Sequence, residues 1–370
     1  FLSAPCHPIA FRALIPYANK AICNLLIAPS PRASSVSKFR GTNKNFRGIK
    51  AANLFFSSLI TMSSTTASES VPTLVSCSWL KENLNNPKVK ILDSSWYVPG
   101  MERSPGLKYD AHKEFETRRI PGALYFDIDK VADTSTDLPH MIPTPAFFAE
   151  CAGRLGLRRD DHVVVYDGKG LFSAPRAWYT LKHFGHPAVS MLEGGFPAWE
   201  AAAGPVDTAP LPCAAPAPTP AEYPVPAAVC SQIMSVKDVE AHVANPKTQL
   251  VDARPKARFI GEAPEPRPIE SGHIENTLNV PWPDVLASPG TLKPEAELRQ
   301  VFAANRVDLG QPIAVTCGSG NTACVVAAAL YELKCGLVPL YDGAYTEWKT
   351  SGRPTYKAWE KTPYAAAPPA

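Results

Sequence analysis

The chain has 370 residues, which is enough for two domains of ordinary size, each with its own hydrophobic core. Hydrophobic residues at 45% and charged residues at 19% are typical of a globular protein, and 39 prolines with 22 glycines in no regular period exclude collagen. The formal net charge of +3 comes from a basic N-terminus, and the remainder is mildly acidic, which argues against a nucleic-acid partner.

Residues 1–70 are predicted to be a transit peptide or a non-native leader, disordered in either case. They contain eight Lys and Arg among Ser, Ala and Phe, and no acidic residue occurs before Glu69. This composition is typical of a mitochondrial address. The alternative is that translation starts at the first methionine, Met62, and that the protein is cytoplasmic. The apolar run at 52–60 is too short to span a membrane, which needs about 20 residues.

From residue 71 onward, strand-like and helix-like segments alternate, which is typical of βα units around a parallel sheet. Thr144 and Pro145 supply an N-cap and a first-turn proline for one of the helices. We therefore predict an α/β domain over residues 71–203. Its predicted segments, strand and helix in turn, are 89–93, 112–118, 123–127, 145–155, 162–167 and 174–184.

A stretch rich in proline and alanine at 204–228 predicts a semi-rigid, extended linker. A second α/β domain is predicted over 229–357, followed by a tail over 358–370. Its predicted helices are 236–243, 294–305 and 322–333, and its predicted strands are 249–252, 277–280, 312–316 and 338–341.

The two predicted domains repeat each other at a spacing of about 150 residues, which indicates an internal duplication. The matching segments are 91–93 with 250–252, 164–168 with 314–318, and 193–199 with 342–348. At one equivalent loop the first copy carries Asp167 and the second carries Cys317. One fold therefore occurs twice, with different chemistry at the same place.

Nine cysteines occur without a CxxC pair or a His spacing suited to zinc, so neither a disulfide framework nor a metal site is predicted. Cys317 ends a strand-like run and precedes a loop containing Gly318 and Gly320, then a helix-forming stretch. Such a loop directs backbone N–H groups at one anion and stabilises a thiolate or a persulfide. A purely structural loop is the alternative, but the repeat favours a nucleophile, because Asp167 in the first copy is unable to do this chemistry.

Five segments carry a more specific pattern: 119–127, 173–176, 272–274, 341–343 and 347–348. With them the chain resembles the two-domain rhodanese-like sulfurtransferases over roughly residues 72–357. The resemblance implies an α/β fold of tandem rhodanese-like domains, each a parallel sheet flanked by helices on both faces. It also implies that the domain over 71–203 is non-catalytic and the domain over 229–357 is catalytic. Two departures are Arg119, where the family often has His, and Asn321, where it often has an apolar residue.

The loop at 317–320 is similar to that of the family's 3-mercaptopyruvate sulfurtransferases. Thiosulfate sulfurtransferases usually carry an Arg-Lys pair at the positions of Gly318 and Ser319. Thiosulfate is a dianion that benefits from cations in the loop, whereas mercaptopyruvate has one carboxylate that is held elsewhere. The loop therefore favours mercaptopyruvate as the sulfur donor.

The family's substrate-binding arginines match Arg258 and Arg267, whose planar guanidinium groups suit two-point contact with a carboxylate and a keto oxygen. Arg254 is interpreted as structural. The resemblance further implies a relay of Ser319 with His140 and Asp129 that moves protons as the C–S bond breaks. The rest of the predicted substrate pocket is Gly318, Gly320, Asn321 and Thr322.

The implied reaction is ping-pong: Cys317 takes the sulfur of 3-mercaptopyruvate as a persulfide, releases pyruvate, and passes the sulfur to a thiol such as thioredoxin or glutathione, or to cyanide. No metal or organic cofactor and no membrane or nucleic-acid partner is expected. Thiosulfate as the main donor is the closest alternative, and a non-enzymatic sulfur-binding scaffold is another. A cysteine phosphatase or arsenate reductase is remote, because Ala323 stands where those enzymes place the phosphate-clamping Arg.

Overall fold

Two five-stranded parallel sheets, one in each half of the chain, form the framework of the protein. The computed structural model describes residues 71–211, 221–287 and 290–363. The predicted leader, the middle of the predicted linker and the end of the predicted tail lie outside the described residues. None of the described helices is long and apolar enough to cross a bilayer.

The first half contains one parallel sheet and one antiparallel hairpin. Its strands are β1 (Leu74–Val75), β2 (Val89–Asp93), β3 (Glu102–Ser104), β4 (Leu107–Lys108), β5 (Leu124–Tyr125), β6 (His162–Tyr166) and β7 (Ala188–Leu192). The parallel sheet has the order β1-β7-β6-β2-β5, and β3 pairs with β4 as the hairpin. Its helices are α1 (Cys77–Glu82), α2 (Ala111–Thr117), α3 (Pro145–Arg154), α4 (Ala174–His183) and α5 (Gly195–Ala201).

The second half repeats this arrangement. Its strands are β8 (Ile233–Met234), β9 (Gln249–Asp252), β10 (Thr277–Asn279), β11 (Leu286–Ala287), β12 (Thr291–Leu292), β13 (Ile313–Thr316) and β14 (Leu340–Tyr341). Its helices are α6 (Val236–Ala244), α7 (Lys256–Phe259), α8 (Glu295–Ala304), α9 (Ala323–Glu332) and α10 (Ala344–Thr350), with a 3-10 turn at Trp282–Val285. The parallel sheet has the order β10-β9-β13-β14-β8, which is the order of the first sheet when each strand is replaced by its counterpart.

Helices cover both faces of each sheet, as the alternation along β6 shows. Val163 and Val165 pack in one buried cluster with residues of α3 and α4, whereas Val164 and Tyr166 pack in another with residues of α1, α2 and α5. Successive side chains of a strand point to opposite faces, so the two clusters lie on opposite sides of the sheet. The predicted fold class is confirmed.

The inner faces of the two sheets share one hydrophobic core, where α4 packs against α9. The ring centroids of Trp178 on α4 and Tyr331 on α9 lie 5.3 Å apart. The Tyr179 hydroxyl donates a hydrogen bond to the carbonyl of Val338 at 2.8 Å. The two halves are therefore joined by buried contacts in addition to the connecting segment.

Most predicted segments coincide with observed elements. Strands β2 and β9 have the predicted bounds, and the Thr144 side chain caps α3 by accepting from the N–H of Phe147. Other ends differ by at most two residues because helix and strand ends depend on local hydrogen bonds. The two-residue strands β1 and β8 were not predicted, since two residues carry too little pattern.

Candidate active site

Cys317 lies directly after β13, at the carboxyl edge of the second sheet, and is 2% exposed. Residues 318–322 form a loop that leads into α9, with Thr322 at its N-cap. The N-terminus of a helix carries a partial positive charge and unpaired N–H groups. The predicted order of strand, cysteine, loop and helix is observed.

The carbonyl groups of Cys317 and Gly318 accept hydrogen bonds from residues outside the loop. The carbonyl of Cys317 accepts from the N–H of Tyr345 at 3.0 Å, and that of Gly318 accepts from the N–H of Thr346 at 3.1 Å and from its hydroxyl at 2.5 Å. In a trans peptide the C=O and the following N–H point in opposite directions. The N–H groups of Gly318 and Ser319 are therefore turned to the other side of the loop.

The carbonyl of Gly320 is held in the same way. It accepts from Arg176 Nη1 at 3.2 Å and from the Cys324 thiol at 3.3 Å, so the N–H of Asn321, in the same peptide, points away from both of these groups. Within the described chain, none of the three inward-turned N–H groups donates a hydrogen bond to another protein group. The loop is thus a set of backbone donors without a protein acceptor, which is a site for an anion.

In the first half, the loop that follows β6 surrounds a carboxyl group with backbone donors, although most of these donors occupy other positions of the loop. The carbonyl of Asp167, the counterpart of Cys317, accepts from the N–H of Phe196 at 2.9 Å, as Cys317 does from Tyr345. Burial raises the pKa of the Asp167 carboxyl, and backbone donors oppose that rise. The carboxylate accepts, at 2.8 to 2.9 Å, from the N–H groups of Lys169, Phe172, Ser173 and Ala174.

Arg258, on α7, lies beside the loop and is held by Glu265. Its Nε donates to Glu265 Oε2 at 3.1 Å, and Glu265 Oε1 accepts from Arg254 Nη1 at 2.7 Å. A Cβ placed on Gly318 would lie 3.0 Å from Arg258 Nη2. Any side chain at position 318 would therefore crowd the Arg258 guanidinium.

Arg267 is half-buried, and its guanidinium makes no hydrogen bond or ion pair with the described residues. Burial lowers the pKa of Arg267, while the charges of Cys317 and Glu265 raise it and that of Arg258 lowers it further. This guanidinium therefore stands close to the nucleophile without a carboxylate of the described protein to bind it. It is available to a carboxylate of a substrate.

His140 and Asp129 of the first half are brought together. His140 Nδ1 and Asp129 Oδ1 are 2.6 Å apart, although the angles are not those of a hydrogen bond, and His140 Nε2 has no hydrogen-bond partner among the described residues. Trp96 Nε1 donates to Asp129 Oδ2 at 2.8 Å, and its ring lies edge-on to the imidazole. Burial lowers the pKa of His140 despite the adjacent carboxylate, so the imidazole is neutral at neutral pH.

Two other predicted loop residues are buried. Ser319 is 6% exposed, and the described residues include no hydrogen bond between it and His140. Asn321 is 3% exposed, and neither its amide nitrogen nor its amide oxygen has a partner among the described groups. Position 321, where the family often has an apolar residue, thus carries a buried amide that no described protein group pairs with.

Sequence reasoning did not assign a role to three residues of the site: Arg176, Asp342 and Trp96. Arg176 and Asp342 form an ion pair at 2.6 Å between the two halves, with both side chains almost fully buried. The segments 173–176 and 341–343 were noted only as part of a pattern, because no local feature says which residues meet. Among the described residues, no group of His, Cys, Asp and Glu is arranged to hold a metal ion.

Comparison with known proteins gives a consistent result. Residues 76–202 and 235–351 match the family described as Rhodanese-like domain. The chain is 42% identical over 288 residues to 3-mercaptopyruvate sulfurtransferase of Homo sapiens, covering 76% of this chain and 93% of the relative. It is 37% identical over 337 residues to thiosulfate/3-mercaptopyruvate sulfurtransferase 1, mitochondrial, of Arabidopsis thaliana, covering 87% and 86%. The crystal structure of SseA from Escherichia coli is 37% identical, with a TM-score of 0.65 over 74% of this chain and 99% of that one.

Proposed function

Because this chain belongs to the rhodanese-like sulfurtransferase family, we propose that Cys317 accepts the sulfur of 3-mercaptopyruvate as a persulfide and passes it to a thiol or to cyanide. The chain is a sulfurtransferase, and both mercaptopyruvate and thiosulfate are donors that fit the family. The domain over 71–203 is proposed to be non-catalytic and that over 229–357 catalytic.

One observation carries the choice of Cys317: the equivalent cradle of the first half binds the carboxylate of Asp167 with four backbone N–H groups. The backbone donors of such a loop lower the pKa of the side chain at its first position, against the effect of burial, which raises it. In the second half that side chain is a thiol. The same donors favour its thiolate and, after sulfur transfer, its persulfide anion.

In the first half-reaction the Cys317 thiolate attacks the sulfur of the substrate. The new S–S bond forms as the substrate's C–S bond breaks, and the bonding electrons leave on carbon as the enolate of pyruvate. In the second, an acceptor thiolate or cyanide attacks the outer sulfur and regenerates the Cys317 thiolate. A second thiol then releases hydrogen sulfide from the acceptor persulfide and leaves a disulfide.

Asp129, His140 and Ser319 are proposed to handle the proton that the enolate takes up. A neutral imidazole with an unpaired Nε2 is able to relay a proton, and the adjacent carboxylate stabilises its charged form. Trp96 positions that carboxylate by its indole hydrogen bond.

Arg258 and Arg267 are proposed to bind the carboxylate and keto oxygen of the donor, together with Gly318, Gly320, Asn321 and Thr322. A Cβ at position 318 would lie 3.0 Å from Arg258 Nη2, so the cation reaches the loop from α7 and not from a side chain at position 318. This arrangement supports mercaptopyruvate as the sulfur donor. A loop arginine at position 318 would displace Arg258.

Replacing Arg267 by lysine is expected to lower kcat/KM for mercaptopyruvate by roughly 10- to 100-fold, mainly through KM, because a charge-assisted two-point contact becomes a single one. Steady-state kinetics with mercaptopyruvate and a thiol acceptor measures this. Arg154→Lys, in an exposed pair with Glu150 on α3, is the matched control and should leave both constants unchanged. An unchanged KM in Arg267→Lys would remove Arg267 from the substrate site.

The test of the proposed function is a donor comparison on the purified protein. We expect a higher kcat/KM for mercaptopyruvate than for thiosulfate, and a mass increase of one sulfur atom on the peptide containing Cys317. A strong preference for thiosulfate would identify the protein as a thiosulfate:cyanide sulfurtransferase instead. Absence of any persulfide with either donor would favour a sulfur-binding scaffold.

A mitochondrial location is also proposed. The basic composition of residues 1–70 and the match over 87% of the chain to a relative named mitochondrial support it. The cytoplasm is the alternative if translation starts at Met62. Fractionation of cells that express the full chain with a C-terminal tag distinguishes the two.

A further inference from the structure

Arg176 belongs to the first half, yet its guanidinium reaches the active loop of the second. Its side chain is 2% exposed. Nη1 donates to the carbonyl of Gly320 at 3.2 Å and to Asp342 Oδ1 at 2.6 Å, and Nη2 donates to the carbonyl of His140. One buried cation thus contacts the active loop, its ion-pair partner and the backbone of the predicted relay histidine.

The contact with Gly320 decides which way a peptide points. When the Gly320 carbonyl faces Arg176, the N–H of Asn321 in the same peptide faces the opposite way, into the cradle around Cys317. This orientation requires a positive φ of 78° at Gly320, and a Cβ there would lie 2.6 Å from Asp342 Oδ1 and 3.0 Å from Arg176 Nη1. The loop is therefore shaped around the ion pair.

Asp342 also makes a hydrogen bond to the segment of the first half that contains His140. Its Oδ2 accepts from the N–H of Ile142 at 2.5 Å, two residues after His140. His140 has a positive φ of 60°, a conformation that is strained for a residue other than glycine. Arg176 bonds to the carbonyl of His140 and Asp342 to the N–H of Ile142, so the ion pair contacts the backbone at this strained position and just after it.

We propose that Arg176 is a positioning residue for sulfur transfer. It orients the N–H of Asn321 toward the sulfur of Cys317, and it holds the backbone of His140 in place. This rests on the proposed function and extends it, since it assigns to the non-catalytic half a part in stabilising the thiolate and the persulfide. Arg258 and Arg267 bind the sulfur donor, whereas Arg176 orients the loop around the nucleophile, Cys317. Loss of this orientation should therefore lower kcat and leave KM for the donor nearly constant.

The test compares Arg176→Lys with Tyr179→Phe. Tyr179 lies three residues further along α4, and its hydroxyl bonds to Val338 and Ser231 of the second half and to no residue of the active loop among the described residues. Tyr179→Phe therefore removes a buried contact between the halves without touching the cradle. For Arg176→Lys we expect kcat to fall about tenfold or more with KM changed by less than about twofold, and for Tyr179→Phe we expect no change in either.

A second measurement needs no sulfur donor: the rate of iodoacetamide alkylation at Cys317, followed by peptide mass spectrometry at neutral pH. Without the Asn321 N–H the negative charge on the attacking sulfur loses a hydrogen-bond donor, so Arg176→Lys should slow alkylation by about tenfold relative to wild type and to Tyr179→Phe. A merely structural role would open the cleft between the halves and speed alkylation instead.

Faster or unchanged alkylation in a folded Arg176→Lys protein, or a loss confined to KM, would overturn the positioning role. If Arg176→Lys does not fold, Arg176→Gln serves in its place, since it removes the guanidinium from the Gly320 carbonyl and should also slow alkylation. Alkylation does not involve the sulfur donor, so this test gives a result even if the proposed function is wrong. If the wild-type protein is inactive with every donor, Arg176→Lys should still be alkylated more slowly than wild type.

Discussion

Cys317→Ser is expected to lower sulfur transfer from both mercaptopyruvate and thiosulfate by at least about three orders of magnitude, while the protein stays folded. A serine hydroxyl fits the same cradle, but at neutral pH it is almost entirely un-ionised, and it forms no stable bond to sulfur. The cradle itself should still bind anions, because its donors belong to the backbone. The effect should therefore fall on turnover and not on folding.

Steady-state assays with each donor, together with mass spectrometry for the persulfide, measure this loss. Cys230→Ser is the matched control: Cys230 is exposed, lies outside the site and should give wild-type turnover. Residual activity of Cys317→Ser above about one hundredth of wild type would mean that another thiol carries the sulfur.

Arg254→Met is expected to destabilise the protein by roughly 3–5 kcal/mol, because it leaves buried carboxylates without their cation. Arg254 is 1% exposed and bonds to both oxygens of Asp252 at 2.6 to 3.1 Å, to Glu265 at 2.7 Å and to the carbonyl of Gly272 at 2.7 Å. Its guanidinium also lies 3.8 Å from the ring centroid of Tyr345. No water is able to replace so many contacts at a site this buried.

Urea unfolding followed by far-UV circular dichroism gives the free energy of unfolding. Arg299→Met, which breaks an exposed pair with Glu295 on α8, is the matched control and should cost less than about 0.5 kcal/mol. We also expect the Arg254 variant to lose activity, since Glu265, which binds Arg258, loses the hydrogen bond that Arg254 donates to it. A loss of stability no larger than that of Arg299→Met would show that the buried network is not needed for the fold.

The sequence and the structure agree best where the signal is local. Strand β9 is a short apolar run that ends at Asp252, and α3 begins where Thr144 and Pro145 cap it, so each could be predicted from neighbouring residues. The hairpins escaped prediction because strands of two or three residues carry too little pattern. The edge strands β1 and β8 escaped it because they pair with β7 and β14, which lie far along the chain.

The amino-acid order alone determined the duplicated α/β fold and singled out Cys317, because hydrophobic periodicity, a strand–glycine–helix loop and the exchange of Asp167 for Cys317 are all written within short segments. Only the tertiary structure decided that Arg176 faces the Gly320 carbonyl, 144 residues away, and that Asp342 pairs with it across 166 residues. Such contacts leave no periodic trace in sequence, since they arise from the packing of one half on the other. They place a cation of the first half against the active loop of the second.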